Sequence, residues 1–240
     1  MRVVISQSMY FPWVGMLEQL SLADCFVNYN DVQFSKGSFT NRVQVKTATG
    51  MRWMTVPLRG HKFGQKIDEV RVNTSIDWRD QHRELLNQSY LDAAHKEEML
   101  NLVDDVLSIS SSDLSGIVRK SMIVLADYFT LLNETKIYDA ADMGISGYGS
   151  QRVLDIVKSL SGRVYITGHG ARNYLDHELF ERNGIEVRYM DYGCHHYQQL
   201  HGDFKAYVTG LDLLANCGRD GKKFIQPKTT NWRKFINERT

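Results

Sequence analysis

Four stretches of this 240-residue chain hold side chains able to do chemistry. The first is Ser6-Gln7-Ser8-Met9-Tyr10-Phe11-Pro12-Trp13-Val14-Gly15. Here Ser6 and Gln7 offer hydrogen bonds, and Tyr10 and Trp13 offer ring faces for a base or a sugar. The second, residues 30–42, sets Asp31, Gln33, Lys36, Asn41 and Arg42 between Phe34 and Phe39. Lys36 and Arg42 would face an anion and Asp31 a hydroxyl or an amine. A solvated loop with its two phenylalanines tucked into the core is the plainer alternative. The third is Thr167-Gly168-His169-Gly170-Ala171-Arg172, in which Gly168 allows close backbone approach. His169 and Arg172 add a titratable ring and a fixed cation there. The fourth holds Cys194, His195, His196 and His201. Adjacent histidines rarely point at one ion, so no metal site is expected, and a general base from His195 or His196 is the better reading.

Elements with a regular period must position these groups. Residues 2–6 read as a buried strand, 14–23 as a helix and 24–29 as a second strand, the length of one βαβ unit. Residues 43–46 and 52–56 read as a hairpin, and 67–72 alternates like another strand. Apolar spacing predicts helices over 77–90, 93–107 and 114–132, with Asp113 capping the last. A strand at 136–138 and the alternation of helix 150–160, strand 163–167, helix 174–183 and strand 186–190 complete an α/β pattern, followed by a short helix at 208–214. The expected architecture is a single α/β domain with a mixed, mostly parallel sheet flanked by helices. An antiparallel hairpin and a helical insertion over 77–132 interrupt it. The opening turn and the second stretch would then rim one sheet edge, where ligands of open α/β sheets bind.

Bulk composition narrows the classes. A hydrophobic share of 42% supports a real core, and a net charge of +1 gives no global pull toward nucleic acid or membrane. No apolar run approaches the ~20 residues needed to span a bilayer, and no signal peptide is visible at the start. Three cysteines with no close pair suit a reducing compartment, so a cytoplasmic protein is expected. The basic tail, with Arg219, Lys222, Lys223, Lys228, Arg233 and Lys234 among Phe224, Trp232 and Phe235, reads as a terminal segment pinned by its aromatics. Nucleic-acid contact through it is the lesser reading.

The order of these motifs resembles the WbqC-like protein family. Its members open on a strand and a His-Gln-Pro-x-Tyr-x-Pro-Trp-x-Gly pattern, matched here from Ser6 to Gly15, and continue with Asp-Asp-Val-Gln-Phe-x-Lys, matched at residues 30–36 and followed by Asn41-Arg42. Gly168 with Tyr174-Leu175, Tyr197 with residues 199–202, and residues 211–218 extend the match. This chain departs from the pattern with Ser6 for the usual His and Ser8 for the usual Pro. The resemblance implies a transferase of bacterial surface polysaccharide, such as O-antigen or lipopolysaccharide, acylating or aminoacylating a nucleotide-linked amino sugar. Asp31, His169, His195 or His196 would move the proton, and Ser6, Gln7, Tyr10, Trp13, Gln33, Lys36, Asn41, Arg42, Gly168 and Arg172 would hold the substrate. No cofactor is identified beyond a nucleotide or an activated acyl donor, and the partner is a sugar nucleotide. The alternatives are a non-catalytic sugar-nucleotide-binding accessory protein, and an enzyme like the HIGH-type nucleotidyltransferases. Serine at position 6 cannot carry the charge that a histidine brings to a phosphate.

Overall fold

The computed structural model describes residues 1–238. The chain opens on β1 (Arg2–Ser6), whose Val3 and Val4 are wholly buried, as a β-branched strand covered on both faces must be. It continues through α1 (Val14–Ser21) into β2 (Cys25–Asn28), which pairs with β1 in parallel. Next, β3 (Arg42–Thr47) and β4 (Gly50–Thr55) form a separate antiparallel hairpin. Three helices follow: α2 (Trp78–Ser89), α3 (Lys96–Leu107) and α4 (Leu114–Tyr128). Asp113 caps α4 by accepting from the Ser115 and Gly116 amides at 3.2 and 2.9 Å.

The chain then re-enters the sheet at β5 (Lys136–Asp139) and crosses through α5 (Gly149–Ser159) to β6 (Val164–Thr167). It continues through α6 (His177–Arg182), β7 (Glu186–Met190) and α7 (Gly210–Cys217). β8 (Thr229–Asn231) and α8 (Trp232–Asn237) close the described chain. The sheet order is β5-β2-β1-β6-β7-β8, parallel except for the β7–β8 pair. Alternation along the strands divides the core in two. Val4, Phe26 and Ile166 face the cluster built with α1 and the three inserted helices. Val3, Ile5, Val27 and Tyr165 face the cluster built with α5 and Phe180 of α6. This is an α/β fold with a mostly parallel mixed sheet flanked by helices and a separate antiparallel hairpin. No helix among the described residues is long and apolar enough to cross a membrane.

Four local expectations are corrected. Residues 67–72 do not form a strand, because the Lys66 amide donates to the Glu69 carboxylate at 3.2 Å and closes a 3-10 turn at Ile67–Glu69. The helix expected from Tyr174 starts only at His177, where Asp176 accepts from the Leu179 amide at 3.0 Å. α4 stops at Tyr128, short of residue 132, because Thr130 takes a left-handed conformation with φ 52°. The terminal segment adds the unforeseen β8, whose Thr-Thr-Asn sequence carries no apolar alternation. Phe235 behind it is buried and stacks on Tyr189 at 4.1 Å.

Candidate ligand-binding cleft

The chain runs from β1 to β2 on one side of the sheet and later from β6 to β7 on the other, so strand order reverses between β1 and β6. The carboxyl ends of strands at such a reversal leave a crevice. A cleft of about 1000 Å³ opens there, walled by Ser6 and Gln7 after β1, Asp31 and Gln33 after β2, and Thr167, Gly168 and His169 at the end of β6. The rest of the wall combines Gln19 and rings such as Trp13, Tyr29, Phe39 and Tyr192 with aliphatic side chains such as Met9, Met16 and Val153.

The opening turn is bolted in place by distant segments. Phe11 sits at φ 37°, and its amide donates to Ser121 Oγ at 3.0 Å. Thr209 Oγ1 donates to the Phe11 carbonyl at 2.8 Å and the Gly210 amide to the Pro12 carbonyl at 2.7 Å. Ser8, at the position of the family's proline, ties the exits of β1 and β2 together. Its amide donates to Asn30 Oδ1 at 3.0 Å, and its hydroxyl accepts from Asn30 Nδ2 at 2.9 Å. The kink sends neighbouring aromatics in opposite directions. Trp13 goes to the cleft wall, 4.8 Å from the Tyr192 ring and 5.2 Å from Tyr207. Gly15 makes this possible, since a Cβ there would lie 2.1 Å from the indole.

Tyr10 goes the other way and does not stand on the cleft. It is fully buried, and its hydroxyl lies 3.0 Å from His82 Nδ1. The other His82 nitrogen must donate to the Thr55 carbonyl at 3.1 Å, so Nδ1 is the acceptor and Tyr10 the donor.

Six further residues expected at the site also lie off the cleft wall. Asn41 is buried and donates to the Val56 carbonyl at 2.9 Å, a structural bond that holds the loop to the hairpin. Arg42 lies over the Trp53 ring at 4.0 Å and donates to the Gly37 carbonyl at 3.1 Å. Lys36 is solvent-exposed on that same loop. Arg172 is half-buried on the 3-10 turn His169–Asn173. His196 stacks on Phe204 at 4.3 Å, while its neighbour His195 lines a separate small cavity. Local pattern placed these side chains near strand ends, but their direction is set by loop packing that the pattern does not encode.

Arg152 is the group that sequence reasoning missed. It lies on α5, donates to both Asp31 oxygens (3.1 Å for Nη1) and to the Ile145 carbonyl at 2.9 Å, and sits 5.0 Å from the Tyr29 ring. The available signal was a lone arginine beside the apolar run Val153-Leu154, just after Gly147 and Gly149. With Asp31 held this way, the cleft wall carries a neutralised pair rather than a free carboxylate. His169 Nε2 donates to the Met190 carbonyl at 2.7 Å. Burial pushes the hydroxyls of Tyr29, Tyr174 and Tyr192 above their ordinary range, so each remains a neutral donor.

Behind the cleft, burial lifts the Glu18 carboxyl of α1 to about 7 and lowers His82 to about 4. These shifts oppose each other. The depressed His82 contributes stability present above its ordinary 6.5 and lost as pH falls toward 4. The raised Glu18 contributes stability present below its ordinary 4.5 and lost as pH rises toward 7. Glu18→Gln removes the compensating half. Its melting temperature is expected to fall more steeply than wild type's between about pH 7 and 4.5, by the equivalent of about 3 kcal/mol.

The comparisons with known proteins agree in extent. A family model described as the WbqC-like protein family matches residues 7–224. A relative from Mycobacterium tuberculosis (strain ATCC 25618 / H37Rv), named Uncharacterized protein Rv1507c, is 30% identical over 228 residues, covering 94% of this chain and 97% of its own length. No solved structure matches the chain.

Proposed function

The chain belongs to the WbqC-like protein family, and from that premise we propose that its cleft binds a nucleotide-linked amino sugar for acyl or aminoacyl transfer in bacterial surface-polysaccharide synthesis. The observation that carries this reading is the cleft's composition at the strand-order reversal. Aromatic rings surround the amides of Gln7, Gln19 and Gln33 and the hydroxyls of Ser6 and Thr167. Rings stack on sugar and base faces, and side-chain amides and hydroxyls match ring hydroxyls and acetamido groups. Lys36, Arg42 and Arg172 are not on that wall, so the phosphates would rely on other groups. The first turn of α5 borders the cleft at Gly149, has no side-chain cap and lies beside Arg152. With Asp31 engaged by Arg152, His169 is the proposed proton acceptor from the attacking amine or hydroxyl.

Isothermal titration with uridine- and thymidine-diphosphate amino sugars tests the binding step. Mass spectrometry of mixtures with acyl and aminoacyl donors tests transfer. Trp13→Ala is expected to weaken sugar-nucleotide binding by about ten- to a hundredfold, the value of one stacked ring. Its melting temperature should fall by less than that of Tyr10→Ala, because Trp13 is only half-buried. Undiminished affinity in that variant would remove the assignment of the aromatic wall. The bidentate hold on Asp31 also favours a second reading, an accessory protein that binds the sugar nucleotide without chemistry. Tight binding with no product from any donor supports the accessory role.

A further inference from the structure

Behind the Trp13 indole lies a second cavity, with room for one water-sized group (10 Å³). Trp13 lines both spaces. Glu18, His195, Tyr197 and Phe204 complete most of its lining. Glu18 is 1% exposed, and although the Gln226 amide approaches it, neither carboxylate oxygen completes a hydrogen bond of good geometry; His195 Nε2 also completes none. Two incompletely satisfied polar groups thus line one small space, where burial without full partners is costly.

The chemistry of the walls specifies what would satisfy them. A buried carboxylate needs a proton or a cation, and aromatic walls favour a cation. A divalent metal is a poor match, because no group of three or more His, Cys, Asp or Glu side chains among the described residues is arranged to hold one. The space admits one small group, and that group needs N–H bonds to give to Glu18 and, with His195 in its Nδ1–H tautomer, to His195 Nε2. We propose that this cavity is a binding subsite for a single ammonium group, either the ammonium ion or the end of an aliphatic amine entering past Trp13. The assignment does not depend on which ligand occupies the main cleft.

The surrounding charges set the pH window. Burial dominates at Glu18, Asp191 adds to it, and the Gln226 amide and Lys228 oppose it, leaving the carboxyl titrating at about 7. Burial lifts the neighbouring Tyr192 hydroxyl and Cys194 thiol, and Glu18 adds to both. Only the ionised carboxylate pairs with an ammonium. Apparent affinity is therefore expected to fall about tenfold between about pH 8 and 6.

The test uses the intact protein and chloride salts of ammonium, methylammonium, tetramethylammonium and sodium at matched ionic strength. The readouts are melting temperature and the carbon-13 shift of the Glu18 carboxyl. Ammonium and methylammonium are expected to raise the melting temperature saturably and to lower the Glu18 titration midpoint. Tetramethylammonium, which has no N–H and does not fit, and sodium are expected to do neither. A response to ammonium alone assigns the free ion, and a response to both assigns an alkylamine. Glu18→Gln, isosteric with the protonated side chain, is expected to fold and lose the response, and His195→Asn to weaken it. An unchanged response in Glu18→Gln, an equal response to tetramethylammonium or sodium, or no response at about pH 8 overturns the proposal.

Discussion

Arg152→Met is expected to destabilise the protein by about 3–5 kcal/mol, because it strands a carboxylate on the cleft wall. Arg152 and Asp31 are 8% and 12% exposed, and the guanidinium donates to both carboxylate oxygens. Methionine fills much of the volume but leaves Asp31 without its counter-ion and the Ile145 carbonyl without its donor. For a chain of this length the loss corresponds to a drop of about 6–20 °C in melting temperature. Pairing Arg152→Met with Asp31→Asn removes the uncompensated charge, so the double variant should recover most of the loss. Differential scanning calorimetry of the two single variants and the double closes this cycle. Equal losses in Arg152→Met and the double variant would show that the charge pair is not the source.

Tyr10→Ala should cost a comparable 3–5 kcal/mol, about the cost of truncating a buried aromatic. The ring is fully buried, with Phe11, Trp78 and His82 rings 4.8, 6.4 and 5.6 Å away. Tyr10→Phe keeps the ring and removes only the donor to His82 Nδ1, so a smaller loss of about 1–3 kcal/mol is expected. Denaturant midpoints measure both. The contrast with Trp13→Ala is the informative part: three residues apart in one turn, Tyr10 should govern stability and Trp13 ligand affinity. Weakened ligand binding by Tyr10→Phe at unchanged stability would return Tyr10 to the cleft.

Much of the scaffold was readable from local pattern. The Val3-Val4-Ile5 run and the helix after Trp13 identified the first βαβ unit, and Asp113 marked the start of α4. What escaped was structure without an apolar period. β8 is three polar residues that pair only because β7 offers a free edge. The turn at Ile67–Glu69 alternates like a strand but is closed by its own Glu69 side chain.

The candidate site divides along the same line. Which strand ends would meet followed from the βαβ rhythm, and Ser6, Gln7, Trp13, Asp31, Gln33, Gly168 and His169 do stand together on the cleft wall. Which side chains in each loop turn toward that wall did not follow. An irregular turn has no repeat, so its buried face is chosen by whatever packs on it. For the opening turn those partners are Ser121 and Thr209, 110 and 198 residues away from Phe11.

By itself, the sequence determined the α/β alternation, the position of the turn after β1 and the family, since each is written in local periodicity or motif order. The tertiary structure alone decided that Tyr10 supports the core while Trp13 faces the cleft, and that Arg152 holds Asp31 across 121 residues. It also decided that Glu18 and His195 line one small space. Hydrophobic period is a property of neighbours in the chain, whereas desolvation and charge pairing are properties of neighbours in space.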